Sequence, residues 1–184
     1  MLVAFSGLGG AGKTTAIESL ERCGFGRRVY LGEAVSEEMK HRGLVRTPEV
    51  EQEVRMELRS RLGPSAFADL RASHITDLIR GGECVFIDAI FKREEFDRLL
   101  LCGQDRSVLI AIEASFATRA ARLMARKNRG YSADDLRIRD RTEIDDLGTS
   151  SVMKSADFTI SNECSLNEFY DEVASLWKRI NSLV

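Results

Sequence analysis

Proline is scarce in this chain: only Pro48 and Pro64 occur among 184 residues, where about nine would be average. Helices can therefore run long without forced breaks. Cysteine is sparse and scattered. Cys23, Cys84, Cys102 and Cys164 form no CxxC pair and no Cys/His pattern, which excludes the usual zinc spacings and leaves four reduced thiols, expected to be mostly buried. No apolar run reaches 18 residues, and no basic segment precedes a longer apolar one at the start. The expectation is a soluble protein in a reducing, cytoplasmic setting, without a membrane partner. Nor does one sign of charge dominate: 27 Lys and Arg face 29 Asp and Glu, a net charge of -2. A broad, nonspecific grip on nucleic acid needs a strongly basic surface, so that class is excluded.

What is present is ordinary globular material. Apolar residues make up 43% and charged residues 30%, and the length suits one domain able to bury its own core. No repeat or low-complexity linker divides it, so residues 1–184 read as a single domain. Short apolar runs occur at 2–5, 28–31, 84–87, 107–112 and 157–160. They lack clean alternation, as strands buried on both faces do. Helical spacing separates them, for example Leu166, Phe169, Val173, Leu176, Trp177 and Ile180. The stretch of about 50 residues between the second and third runs is cut by Pro48 and Gly63-Pro64 into three helical pieces. This alternating order predicts an α/β fold with a parallel sheet and a helical lobe inserted after strand two.

Chemistry is carried first by Gly7-Leu8-Gly9-Gly10-Ala11-Gly12-Lys13-Thr14, a full match to GxxxxGK[ST]. Glycines here let successive backbone N–H groups turn inward around a phosphate above a helix N-terminus. Lys13 would reach the β- and γ-phosphates, and the Thr14 hydroxyl would ligate Mg²⁺. Asp88 ends the run Val85-Phe86-Ile87-Asp88, where the carboxyl end of a strand opens on the site of such sheets. It reads as a direct or water-mediated Mg²⁺ contact, or as a helix N-cap, or both. Glu33, in Leu31-Gly32-Glu33, is a candidate general base or acceptor-binding carboxylate, with a plain helix-start glutamate as the alternative.

A third feature is basic. Residues 119–141 hold eight basic and three acidic side chains, a local +5 that leaves -7 for the rest. Arg119, Arg122, Arg126 and Arg129 recur at helical spacing, and Ser132-Ala133-Asp134-Asp135 resembles the cap of a following helix. Such an arginine-bearing helix pair could close as a lid over phosphates. The alternative is a solvated face whose arginines pair with Asp134, Asp135 and Asp140. His41 and His74 lack a second ligand at i+4 and are left out of the site. Trp177 falls on an apolar stripe and is assigned to the core. The run Glu49–Arg61 reads mainly as a solvated helix with ion pairs.

Taken together, these residues resemble the P-loop nucleotide and nucleoside kinase group. The chain is most similar there to the archaeal-type proteins related to adenylate kinase and dephospho-CoA kinase. The resemblance covers nearly the whole chain. It rests on Gly7–Thr14, Leu31-Gly32-Glu33, Glu37-Glu38-Met39-Lys40-His41-Arg42-Gly43, Leu58-Arg59 with Leu62-Gly63, and Ile87-Asp88. It continues through Arg122-Leu123, Arg126, Arg129, Arg139-Asp140, Glu143, Gly148, Ala156-Asp157, Ile160, Asn162 and Ser165-Leu166. It implies a P-loop NTPase fold with a five-stranded parallel sheet, an acceptor-binding lobe over about 33–80 and a lid over about 126–142. It also implies ATP with Mg²⁺ as donor and a small nucleotide-like acceptor, such as a nucleoside monophosphate or dephospho-CoA, in a monomer or homodimer. Lys13, Arg122, Arg126 and Arg139 would stabilise the transferring phosphoryl group, and Thr15 and Asn162 join the loop residues in holding the nucleotide. Two departures concern the acceptor. Where the group usually carries phosphate-gripping arginines, this chain has Ser36 and Phe91. The acceptor is therefore gripped by other cations among Arg42, Arg46, Arg55, Arg59 and Lys92, or it is not phosphorylated. A nucleotide-binding switch that keeps the fold without efficient transfer is the competing function.

Overall fold

In the computed structural model, which describes residues 1–103, 106–125 and 132–182, five parallel strands form one sheet. The strands are β1 (Leu2–Ser6), β2 (Arg27–Tyr30), β3 (Val85–Ile90), β4 (Ser107–Glu113) and β5 (Phe158–Ser161), in the order β2-β3-β1-β4-β5. This is the α/β, P-loop NTPase-type architecture expected from the sequence. β1 lies at the centre, with Ala4 opposite Ile87 of β3 on one side and Leu109 of β4 on the other. All five residues of β1 and all six of β3 are buried, which explains why neither run alternates.

Helices cover both faces. On one side Ile17 and Leu20 of α1 (Lys13–Arg22) and the stripe Phe169, Val173, Leu176, Trp177 and Ile180 of α9 (Leu166–Ser182) pack on Val3, Phe5, Phe86 and Ile110. Trp177 is core, as its spacing predicts. On the other face lie α2 (Glu33–His41), α3 (Pro48–Leu62), α4 (Ala66–Arg80), α5 (Arg93–Gly103) and α8 (Thr149–Lys154). They supply Val35, Met39, Leu58, Phe67, Ile75, Leu99 and Val152 to a second cluster with Leu2, Ala4 and Ile87. The helices α6 (Phe116–Met124) and α7 (Ala133–Arg141) follow β4. A π-helical turn, Thr142–Asp146, continues α7.

Pro48 starts α3 behind a Thr47 cap that accepts from the Val50 N–H, the position where proline loses no helical bond. Ser132 and Asp135 cap each other's backbone at the head of α7, the reciprocal box that the sequence suggests. The charged helix α3 is two-sided: Glu53, Met56 and Glu57 face solvent while Val54 and Leu58 are buried, so it is more than a solvated strip.

Three readings need correction. The third strand does not end at Asp88 but runs on to Ile90, so Asp88 is a buried in-strand carboxylate and caps no helix. Strand two ends at Tyr30, one residue short of its apolar run, and Glu33 is the first residue of α2. Of the four free cysteines only Cys102 is buried; Cys23 is exposed, and Cys84 and Cys164 are intermediate. Cys23 stands at the C-cap of α1. No helix among the described residues is long and apolar enough to cross a membrane.

Candidate active site

The strand order reverses about β1, and the loop from β1 to α1 sits at that point, where open α/β sheets place their ligand crevice. Gly7, Gly10 and Gly12 hold φ of 147°, 85° and 112°, values that disfavour any side chain. A Cβ on Gly12 would also collide with Asn162 Nδ2. The same amide donates to Ala11 O at 2.8 Å, and Asn162 Oδ1 accepts from Arg122 Nη2 at 3.0 Å. Asn162, at the end of β5, thus ties the rear of the loop to α6. Arg122 Nη1 is buried with no hydrogen-bond partner among the described residues. Such a donor suits an anion held at the loop.

Lys13 is buried at the head of α1. Its ammonium donates to Gly7 O at 2.6 Å and Leu8 O at 3.1 Å and stands 5.6 Å from the Phe91 ring centroid. Burial lowers its pKa to about 8, countered in part by the charges of Glu143 and Asp88. A lysine so desolvated gains strongly from an incoming polyanion. Beside it, Thr14 Oγ1 donates to Asp88 Oδ2 at 2.9 Å, and Arg28 Nη2 lies 2.7 Å from the same oxygen. A metal bonded directly through that oxygen would have to displace Arg28, so the arrangement favours a metal hold through water.

Arg119 is not on a solvated face. It is 3% exposed and grips Asp140 with two nitrogens at 2.7 and 2.6 Å. It also donates to Gly9 O at 3.2 Å and Ala114 O at 3.1 Å. The basic run is therefore divided: Arg119 braces α7 against the phosphate loop, Arg122 turns toward Asn162, and Arg137 pairs with exposed Asp134. Arg126, Lys127 and Arg129 lie outside the described residues.

Arg139 donates through Nε to Glu143 Oε1 at 2.6 Å, and Glu143 Oε2 accepts from the Gly9 N–H at 3.0 Å. A carboxylate thus occupies a loop donor of the kind a phosphate oxygen would take. The Arg139 guanidinium lies close over Gly9, where an added Cβ would come within 2.8 Å of it and make that side chain shift. Thr15, in the first turn of α1, follows Thr14 directly. The structure thus gathers Gly7–Thr14, Asp88, Arg122, Arg139 and Asn162 at one place. Glu33 stands on α2 with a 60% exposed side chain, 3.8 Å from Arg71, which also holds Glu37 at 2.7 Å.

Sequence reasoning missed Arg28, the bracing role of Arg119 and the loop contact of Glu143. A charged residue inside a short strand was the available signal for Arg28. For Arg119 and Glu143 the partners are 110 and 134 residues away along the chain, beyond any local pattern.

No family model matches the chain. It is similar to a UPF0200/UPF0201 protein of Archaeoglobus fulgidus, 33% identical over 177 residues, covering 95% of this chain and 54% of that protein. The chain thus spans about half of that relative. A UPF0200 protein of Pyrococcus horikoshii is 30% identical, with 99% of this chain and 98% of the relative covered. Among solved structures, a shikimate kinase from Bacteroides thetaiotaomicron superposes with a TM-score of 0.62 at 12% identity, covering 97% of this chain and 98% of the other. A gluconokinase from Sinorhizobium meliloti gives 0.57 at 19% identity, covering 99% and 94%. These two likenesses speak for a kinase-like P-loop fold.

Proposed function

The chain belongs to the UPF0200 family, and from its kinase-like P-loop fold we propose that it is an ATP-dependent phosphotransferase. It moves the γ-phosphoryl group of ATP, with Mg²⁺, to a small nucleotide-like acceptor such as a nucleoside monophosphate or dephospho-CoA. The observation that carries the reading is the convergence of Lys13, Arg122 and Arg139 on a glycine loop beside the Thr14–Asp88 pair. Phosphoryl transfer needs little covalent help; positioning and charge stabilisation do most of the work.

The residues divide the task. The N–H groups of Gly9 to Thr14 would cradle the phosphates over the N-terminus of α1, with Thr15 one residue further on. Lys13 would swing from the Gly7 and Leu8 carbonyls to the β- and γ-phosphate oxygens. The Thr14 hydroxyl and Asp88 would hold Mg²⁺, Asp88 through water, and the ion would neutralise charge on the phosphates. Arg122 and Arg139 would draw off the charge that develops on the transferred group. Glu143 must leave the Gly9 N–H when a phosphate takes it, which couples nucleotide binding to the position of α7. Adjustment of α7 over the loop would then exclude water, the lid role proposed for about 126–142. Helices α2, α3 and α4, over about 33–80, are the proposed acceptor lobe, with Glu33 as its carboxylate.

Acceptor-dependent ADP formation, assayed across nucleoside monophosphates, nucleosides and dephospho-CoA, tests the reading. One acceptor should raise ADP release and appear as a phosphorylated product, and Lys13→Ala should abolish both. Tight ATP binding with no stimulation by any acceptor would favour the nucleotide-binding switch instead.

A further inference from the structure

Ser36 and Phe91 stand where arginines would hold an acceptor phosphate, and the cations that could replace them are unequally placed. Arg42 is committed to Glu38 and Glu57, with four contacts between 2.6 and 2.8 Å. Arg46 is bound to Glu51. Lys92 reaches the Asp146 carbonyl at 3.4 Å on the surface. Arg55 and Arg59 differ from these. They lie one turn apart on the inner face of α3, flanking buried Val54 and Leu58.

Arg59 is fixed but not saturated. Its Cζ lies 4.5 Å from the Phe67 ring centroid, and Nη2 donates to Glu95 at 3.1 Å. Its Nε is buried without a hydrogen-bond partner among the described residues. The other oxygen of Glu95 accepts from the N–H groups of Phe91 and Lys92 at 3.1 and 3.2 Å. Arg59 is thus anchored to the turn after β3, the turn whose Phe91 ring lies beneath the Lys13 ammonium.

Arg55 has less. Its hydrogen bond is to the neutral Gln52 amide at 3.2 Å, and no carboxylate lies within ion-pair distance of it among the described residues. Burial, together with the charges of Arg59 and Arg139, holds its guanidinium below the ordinary value; Tyr30 and Glu51 oppose this. Arg55 thus sits one helical turn from Arg59, whose Glu95 anchor ties this stretch of α3 to the turn beneath Lys13. Cations gathered with too few counter-charges gain by sharing an anion, and guanidinium groups favour oxyanions.

We propose that Arg55 and Arg59 form the seat for an oxyanion, a phosphate monoester or a carboxylate, carried by the acceptor. The inference rests on the phosphotransferase reading for calling that ligand the acceptor; the anion seat itself is tested apart from turnover. The seat takes over from the two missing arginines, from α3 instead of α2 and the end of strand three. A neutral acceptor would leave Arg55 with no ion pair among the described residues.

The test is titration calorimetry in two stages. A non-hydrolysable ATP analogue with Mg²⁺ first saturates the loop; inorganic phosphate, and separately acetate, is then titrated into the wild-type protein and Arg55→Gln. At least one anion should bind the wild type, and Arg55→Gln should weaken it by about tenfold or more, with Arg55→Lys recovering part of the loss and the analogue bound as before. Preference for phosphate would assign a phosphorylated acceptor, and preference for acetate a carboxylate. Absence of binding by both anions, or equal binding in Arg55→Gln, would overturn the proposal. Failure of the analogue to bind would count separately, against the phosphate-loop reading. The anion titration into free protein would then still decide the seat, loss in Arg55→Gln supporting it and indifference overturning it.

Discussion

Replacing Arg119 with methionine should cripple stability before it touches chemistry. The side chain is 4% exposed and that of Asp140 is 12% exposed, and the two share bonds of 2.7 and 2.6 Å. Methionine fills much of the volume but leaves Asp140 buried opposite no cation, a change that costs about 3–5 kcal/mol. It also strips donors from the Gly9 and Ala114 carbonyls. For a chain of this size each kcal/mol shifts Tm by about 2–4 °C, so a fall of roughly 10 °C is expected. Urea unfolding followed by circular dichroism should place Arg119→Met, Asp140→Asn and the double variant on a cycle with coupling of about 2 kcal/mol or more. The double variant should then cost well below the sum of the single ones. Strict additivity, or a cost below about 1 kcal/mol for Arg119→Met, would refute the bracing role. Weakened ATP binding at unchanged stability would instead make Arg119 a phosphate ligand.

Three further outcomes follow from the site. With a folded pKa of about 8 against 10.5 unfolded, Lys13 binds fewer protons folded than unfolded between those values. Its burial penalty is therefore full below pH 8 and relieved as pH rises toward 10.5. Compared with Lys13→Met, the wild type should gain about 3 kcal/mol in urea unfolding between pH 7 and 10.5; a flat difference would contradict a desolvated lysine. Glu143→Gln weakens the contact that competes for the Gly9 N–H. ATP should then bind about fivefold tighter, roughly 1 kcal/mol, by calorimetry, whereas weaker binding would make Glu143 part of the ligand's own seat. Asn162→Ala removes the tie between Ala11 O and Arg122 and should weaken ATP by about tenfold; unchanged affinity would dismiss Asn162 as a support of the loop.

Much of the scaffold is legible before any coordinates because each of its signals is local. Glycine spacing at 7–14 follows from backbone conformations only glycine tolerates, and continuous apolar runs at 2–5 and 84–87 follow from burial on both faces. The Ser132 cap is legible for the same reason. What escapes is set by contacts between distant segments. Nothing near Arg119 distinguishes it from Arg122, yet one is buried against Asp140 and the other faces Asn162. Strand β3 outruns its apolar run because Asp88 is neutralised by Arg28, from β2, and bound by Thr14, from α1. Glu33 was legible as a carboxylate near a strand end, but its exposure and its partner Arg71 depend on how α2 packs near α4.

The central claim is transfer of a phosphoryl group to a small acceptor. ATP carrying ¹⁸O on its γ-phosphoryl oxygens, incubated with Mg²⁺, the protein and the pool of candidate acceptors, tests it directly by mass spectrometry of the products. The heavy label should appear in an organic phosphate formed together with ADP, and should vanish from that product with Lys13→Ala. Label found only in inorganic phosphate, at a rate indifferent to every acceptor, would contradict the account.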